Sequence, residues 1–218
     1  MTLTAAAAAA AAVRPVLAAG LALPAGWVMA GWGRRVCDSD SHWLRGWVVA
    51  AVAAALAWVA VGLAGSWWEA VPFWILGVVS ALLICCDLAV MRLPDPIMGW
   101  AYPVVLGTLT IAAGGSEQWL RLGRALLAGV LFLAFYLVNA LVFPRGIYLG
   151  DVKFAGLIGA WLGWFGWLHL VWGALLAAIL GGVVGLVLIL LRRGGLRTEY
   201  PYGPMIAAGA WIAAVWLI

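Results

Sequence analysis

The sequence predicts an all-α integral membrane protein, a polytopic bundle of about eight transmembrane helices, on three observations. Of its 218 residues, 67% are hydrophobic and only 9% charged, against roughly 45–50% apolar and about 25% charged in soluble domains. Mean hydropathy is +1.13. The apolar residues fall into runs close to the ~20 residues one helix needs to cross a bilayer, and short polar, proline- or glycine-containing links divide them. Sixteen tryptophans suit the interfacial belts where indole rings settle. Little chain is left over for a soluble domain, so residues 1–218 read as a single polytopic domain.

Residues 1–14 are alanine-rich and lack the basic n-region of a signal peptide. The first span is placed at Val16–Gly33, interrupted by Pro24; without it the count is seven. Arg34–Arg45 is a short polar connection holding Cys37, Asp38, Asp40 and His42. The second span runs from Gly46 to Leu63, and Gly65-Ser66 make a turn. Ala70–Met91 is the third and carries Asp87 near its end. Pro94 and Pro96 bracket a sharp turn, because proline fixes its own φ and restricts the residue before it. The fourth span is Ile97–Ala113, followed by Gly114-Gly115-Ser116, and the fifth is Leu122–Phe143, ended by Pro144-Arg145-Gly146. The sixth runs from Asp151 to Trp167 and the seventh from Val171 to Leu191. A polar link, Gly194–Gly203, leads to the last, Pro204–Ile218.

The net charge of +4 does not indicate a nucleic-acid partner, since the arginines lie between apolar runs rather than in a basic patch. Topology explains them better. With the N-terminus outside and eight spans, only Arg14, Arg121 and Arg124 of the twelve basic residues fall outside, as the positive-inside rule asks. Two spans then separate Asp87 from Asp151, so both carboxylates belong to the cytoplasmic boundary. Of the three cysteines, Cys85 and Cys86 are adjacent inside a span and Cys37 is in the connection. No CxxC pair exists, so neither a metal nor another cofactor is expected.

Charges in a membrane segment are expensive and usually functional, which singles out Asp87 and Asp151. Two carboxylates close together in a low-dielectric pocket cannot both ionise cheaply. The ionised one can take a proton from water as it attacks a peptide carbonyl, while its protonated partner donates to the carbonyl oxygen or leaving nitrogen. Gly150 removes a side chain where a substrate backbone would come near. Gly156, Gly159, Gly163 and Gly166 follow at helical spacing and make a smooth packing face. Trp161, Trp164 and Trp167 read as packing or interface, His42 and Glu199 as loop residues, and His169 as interfacial.

Asp87-Leu-Ala-Val-Met-Arg-Leu-Pro-Asp95, then Gly150-Asp151-Val-Lys-Phe, Ala160-Trp-Leu-Gly and the tail Tyr200-Pro-Tyr-Gly-Pro-Met-Ile-Ala-Ala-Gly209, together resemble the prepilin peptidase family of membrane aspartyl proteases. The resemblance covers the chain from about Ser80 onward. It implies a hydrolase of the bacterial cytoplasmic membrane, with its active site facing the cytoplasm. Its substrates would be type IV prepilins or pseudopilins, each with a short basic leader before an apolar helix. By the same match Asp87 and Asp151 are the catalytic pair. Gly150, Lys153, Pro94 and Asp95 support them, Asp95 by shaping its turn and Lys153 as a boundary anchor or charge balance. Tyr148 stands where the family pattern has glycine. Longer relatives carry a CxxC-containing N-methyltransferase domain between the first two spans, which Arg34–Arg45 is too short to hold, so methylation is not expected. Two other function classes fit paired inner acids: a small-solute or cation transporter, and a non-catalytic membrane assembly factor.

Overall fold

The computed structural model describes residues 2–142, 147–191 and 200–217. Among them are eight α-helices and no strand: α1 (Thr2–Cys37), α2 (Gly46–Gly62), α3 (Trp67–Val90), α4 (Asp95–Gly115), α5 (Trp119–Val142), α6 (Leu149–Phe165), α7 (Trp167–Leu190) and α8 (Gly203–Trp216). Five contain a stretch long and apolar enough to cross a membrane: Ala12–Cys37 of α1, and α3, α4, α5 and α7. Helices α2 and α6 have 17 residues each and α8 has 14, a little under the usual ~20 for a full crossing. The expected links at Pro144-Arg145-Gly146 and Arg192–Glu199 lie outside the described residues.

Two boundaries differ from those expected. Helix α1 runs through Pro15 and Pro24 instead of stopping at either; proline is tolerated inside membrane helices because the freed backbone groups are satisfied by local adjustment and by neighbours. Helix α7 begins at Trp167, directly after Gly166, so the break expected between Trp167 and Val171 is instead the single residue Gly166. Three helices end on a non-glycine residue in the left-handed region, Asp38 (φ 47°), Met91 (φ 51°) and Glu117 (φ 54°). At two of these ends the amide beyond reaches back to close the turn, Ser39 N donating to Arg34 O at 3.2 Å and Gln118 N to Ala113 O at 2.8 Å. That closure satisfies carbonyls a helix end would otherwise leave open.

The chain forms two compact units, Met1–Val90 with Gly99–Gln118, and Met91–Met98 with Trp119–Ile218. In the first, small residues let the backbones of α1, α2 and α3 approach closely, the usual basis of helix association in lipid. A Cβ at Gly26 would lie 2.7 Å from Ala50 Cα, and one at Gly77 would lie 2.9 Å from Ala57 N. Ala22, Ala53, Ala57, Val78 and Ala81 form the resulting core. Trp74 Nε1 donates to Ala18 O at 2.9 Å across this bundle. Helix α3 starts on a reciprocal cap: Ser66 Oγ accepts from Glu69 N at 3.3 Å, and Gly65 N donates to Glu69 Oε2 at 2.7 Å. A buried carboxylate is well placed there, at the positive end of the helix.

In the second unit α6 is the central helix, with every residue from Phe154 to Trp164 buried. Its glycines face antiparallel α5. A side chain at Gly159 would collide with Phe132, one at Gly163 with Ala128, and one at Gly129 would lie 3.0 Å from Gly156 O. Helix α8 packs on α7 in the same way, Gly209 lying against Ala177 and Gly173. Arg124 of α5 closes the far end of α6, its Nε donating to Gly163 O at 2.7 Å and its other guanidinium nitrogen to Trp164 O at 2.7 Å and Phe165 O at 3.2 Å. A guanidinium there both satisfies open carbonyls and opposes the negative end of the helix dipole.

Two outcomes are expected of this packing. Gly159→Leu should destabilise the second unit by ~1–3 kcal/mol through overpacking, whereas Gly123→Leu, with no neighbour within 4 Å, should leave the thermal midpoint in detergent unchanged. Arg124→Gln should lower that midpoint, because hydrogen bonds to a charged group contribute about 1.5–3 kcal/mol each at most.

Candidate active site

The first acid sits where α3 runs out of apolar sequence. Asp87 lies three residues before the end of α3 and is only 3% exposed. It follows the buried pair Cys85 and Cys86. Cys86 Sγ faces α1 at Gly33, where an added Cβ would lie 3.7 Å from it and 2.8 Å from Leu82 Cδ1, so Leu82 would have to move to admit a side chain at 33. Beyond Asp87 the left-handed Met91 stops the helix. Arg92, Leu93 and Pro94 then lead into α4, where Pro94 O accepts from Ile97 N at 3.1 Å and Met98 N at 3.3 Å. The Pro94–Pro96 turn expected from sequence is therefore the opening turn of α4.

The second acid opens α6. Asp151 is 3% exposed, and its Oδ2 accepts from Tyr148 N at 2.9 Å. The carboxylate thus satisfies one of the amides that a helix start leaves without an intrahelical partner. Tyr148, at the position before the first turn, is extended (φ −98°, ψ 162°). That conformation is open to any residue, so the tyrosine in place of a family glycine costs nothing in the backbone.

Within the second unit the segment after Asp87 meets the segment around Asp151 at two points. Leu93 is buried against Gly150, where a Cβ would come 2.8 Å from Leu93 Cβ and 3.2 Å from Leu93 O. The absence of a side chain at Gly150 is therefore what lets this chain's own Leu93 pack there. Beside it, Lys153 Nζ lies 2.5 Å from Asp95 Oδ1, with the side chains 44% and 74% exposed. Sequence reasoning gave Asp95 a turn role and Lys153 an anchoring or charge-balancing one; their ion pair joins residues 58 apart in sequence, and no local pattern announces the partner. Asp87 belongs to the first unit and Asp151 to the second.

Sequence reasoning also passed over the tyrosines near Asp151. Tyr136 of α5 is 2% exposed, and its ring centre lies 6.3 Å from that of Tyr202. Burial pushes the Tyr202 phenol up to about 12, with Tyr200 and the Asp151 charge adding to the effect. Its hydroxyl is neutral at any physiological pH. The only hint in the sequence was the Tyr200-Pro-Tyr-Gly-Pro segment, whose tyrosines carried no assigned role. The α1–α2 connection, meanwhile, is a single 3-10 turn, His42–Leu44. A polar recess of about 400 Å³ lies beside it, lined by Gly31, Arg34, Arg35, Asp38, Ser39 and Asp40. Among the described residues, no three His, Cys, Asp or Glu side chains are grouped so as to hold a metal ion.

A family model described as the type IV leader peptidase family matches residues 74–190, just over half of the chain and inclusive of both acids. Among individual relatives, a prepilin leader peptidase/N-methyltransferase of Aeromonas hydrophila is 32% identical over 163 residues, covering 72% of this chain and 53% of the relative. One from Burkholderia pseudomallei is 34% identical over 138 residues (61% and 43%). One from Pseudomonas putida is 35% identical over 86 residues (39% and 29%). The chain thus spans about half the length of the relatives it matches, or less. No solved structure matches.

Asp95→Asn should leave cleavage of a suitable substrate within about threefold of wild type, because an exposed ion pair contributes only ~0–1 kcal/mol and asparagine supports the same turn. Initial rates of the purified variant, compared at matched protein amounts, check this. A loss as deep as that of a catalytic residue would move Asp95 into the chemistry.

Proposed function

Because the chain belongs to the type IV leader peptidase family, we propose that it is a membrane aspartyl endopeptidase that removes short basic leaders from prepilin-like proteins. The observation that carries this is that the family match includes both buried acids together with the segments following them, Arg92–Asp95 and Gly150–Lys153. Asp87 and Asp151 are the catalytic groups. One carboxylate, ionised, takes a proton from water as its oxygen attacks the scissile carbonyl. The other, protonated, donates to the carbonyl oxygen and afterwards a proton passes to the leaving amine. Like charges held together favour such a singly protonated pair. No covalent intermediate is needed.

The two acids act at one face of the membrane. Between them in the chain lie α4 and α5, both long and apolar enough to cross, so the chain returns to the side it left. The distribution of basic residues argues that this side is the cytoplasm, in the inner membrane of a bacterium. A leader cut there would be removed while the apolar helix of the substrate is still in the bilayer. The short α1–α2 connection, one 3-10 turn preceded by Cys37 at the end of α1, supports a peptidase that does not itself methylate its product.

Supporting roles divide by location. Lys153 and Asp95 fix the start of α4 against the first turns of α6, and Leu93 on Gly150 does the same by packing. Pro94 supplies the carbonyl on which α4 begins. These residues hold geometry rather than transfer protons.

The test is cleavage of a purified prepilin in detergent or nanodiscs, read by mass spectrometry. Asp87→Asn and Asp151→Asn should each lower the rate by about 10³-fold or more, the size seen when a member of a catalytic unit is removed, while accumulating in membranes as wild type does. Near wild-type cleavage by either would refute the assignment.

A further inference from the structure

We propose that Tyr136 and Tyr202 are positioning residues for the Asp151 carboxyl group. The inference rests on the reading of Asp151 as catalytic and adds two residues to it. It starts from the register of α5 against α6. Arg124 meets the carbonyls of Gly163 to Phe165, Ala128 meets Gly159 and Gly163, Gly129 meets Gly156, and Phe132 meets Gly159. The helices are antiparallel, so each turn forward on α5 moves one turn back on α6. One turn beyond Phe132 stands Tyr136, fully inside the protein, facing the first turns of α6 where Asp151 lies.

Tyr202 reaches the same place from the other side. It precedes α8 in the Tyr200-Pro-Tyr-Gly-Pro segment, and its ring lies in a slot that α7 keeps open with glycine. A Cβ at Gly181 would come 2.6 Å from Tyr202 Cε2. The Tyr202 hydroxyl donates to Ala177 O at 3.5 Å, and the Tyr200 hydroxyl to Gly181 O at 2.9 Å. The rings of Tyr136 and Tyr202 lie 6.3 Å apart at 55°, so Tyr202 stands beside the residue that the α5–α6 register places at the opening turns of α6. Neutral hydroxyls beside a buried carboxyl group act on it as dipoles. The Tyr202 anchor on α7 keeps its hydroxyl dipole from turning as the proton moves. Fixed dipoles in a dry site cost little reorganisation during reaction.

The experiment compares Tyr136→Phe, Tyr202→Phe, the double variant and Gly181→Ala with wild type and Asp151→Asn in the prepilin assay. Phenylalanine keeps each ring and removes only the hydroxyl. Gly181→Ala keeps both hydroxyls but pushes the Tyr202 ring from its slot, and serves as the second route should a Phe variant fold poorly. Each single variant should lose about tenfold in kcat with KM within about twofold. The double Phe variant should lose no more than the worse single, since the residues act as one pair. Wild-type kcat in both Phe variants and in Gly181→Ala would overturn the proposal, as would a change confined to KM. Active Asp151→Asn, or wild type that does not cleave, would instead overturn the catalytic reading and this proposal with it. Cleavage by wild type, none by Asp151→Asn and full kcat in the tyrosine variants would defeat the tyrosine proposal alone.

Discussion

The close approach of α5 to α6 is the constraint on which the second unit depends. In lipid there is little hydrophobic gain from pressing one apolar helix against another, so association relies on packing and on bonds that water would otherwise make. Gly129, Gly156, Gly159 and Gly163 supply the first and Arg124 the second. Together they allow a 17-residue helix, buried on every side over its central turns, to begin with a carboxylate and a lysine. Without that grip an acid at the mouth of a short helix would be drawn toward water. With it, Asp151 is held by the Tyr148 amide while Lys153 remains outside to meet Asp95.

The arginine on α5 also resolves a tension in the charge pattern. In the topology expected from the sequence, Arg124 falls on the outer side, where basic residues are sparse. Its guanidinium is occupied by three carbonyls at the end of α6, so it serves as a cap rather than as a topological signal. The eight helices themselves were legible because apolar runs of the needed length and their breaks are written locally. The two acids stood out because charge within a membrane segment is expensive. What could not be read were relations between helices. The Asp95–Lys153 pair, the Arg124 cap and the meeting of Tyr136 with Tyr202 each depend on register between helices, which sequence spacing along one helix does not encode. Proline misled in α1 because its effect as a helix breaker is weaker in a membrane, and the packing of Leu93 on Gly150 was hidden because the two lie on different segments.

Hydrolysis within a membrane protein needs water, acid and base in one place, and helix ends are where a bilayer offers them. Both acids are buried near such ends, Asp87 at the close of α3 and Asp151 at the opening of α6. The segments that follow them are clamped by an ion pair and by the seating of Leu93 on Gly150. These are small interactions singly, but they tie the loop after the first acid to the helix of the second.

The central claim is that Asp87 and Asp151 serve one site at one face of the membrane, and cysteine accessibility tests it most directly. In a background with Cys37, Cys85 and Cys86 replaced, single cysteines at Ala89 and Ile147 would be treated with a membrane-impermeant maleimide on sealed right-side-out and inside-out vesicles. The account predicts that both react from the cytoplasmic side only. Reaction of the two positions from opposite faces would contradict it, whatever the motifs around the acids resemble.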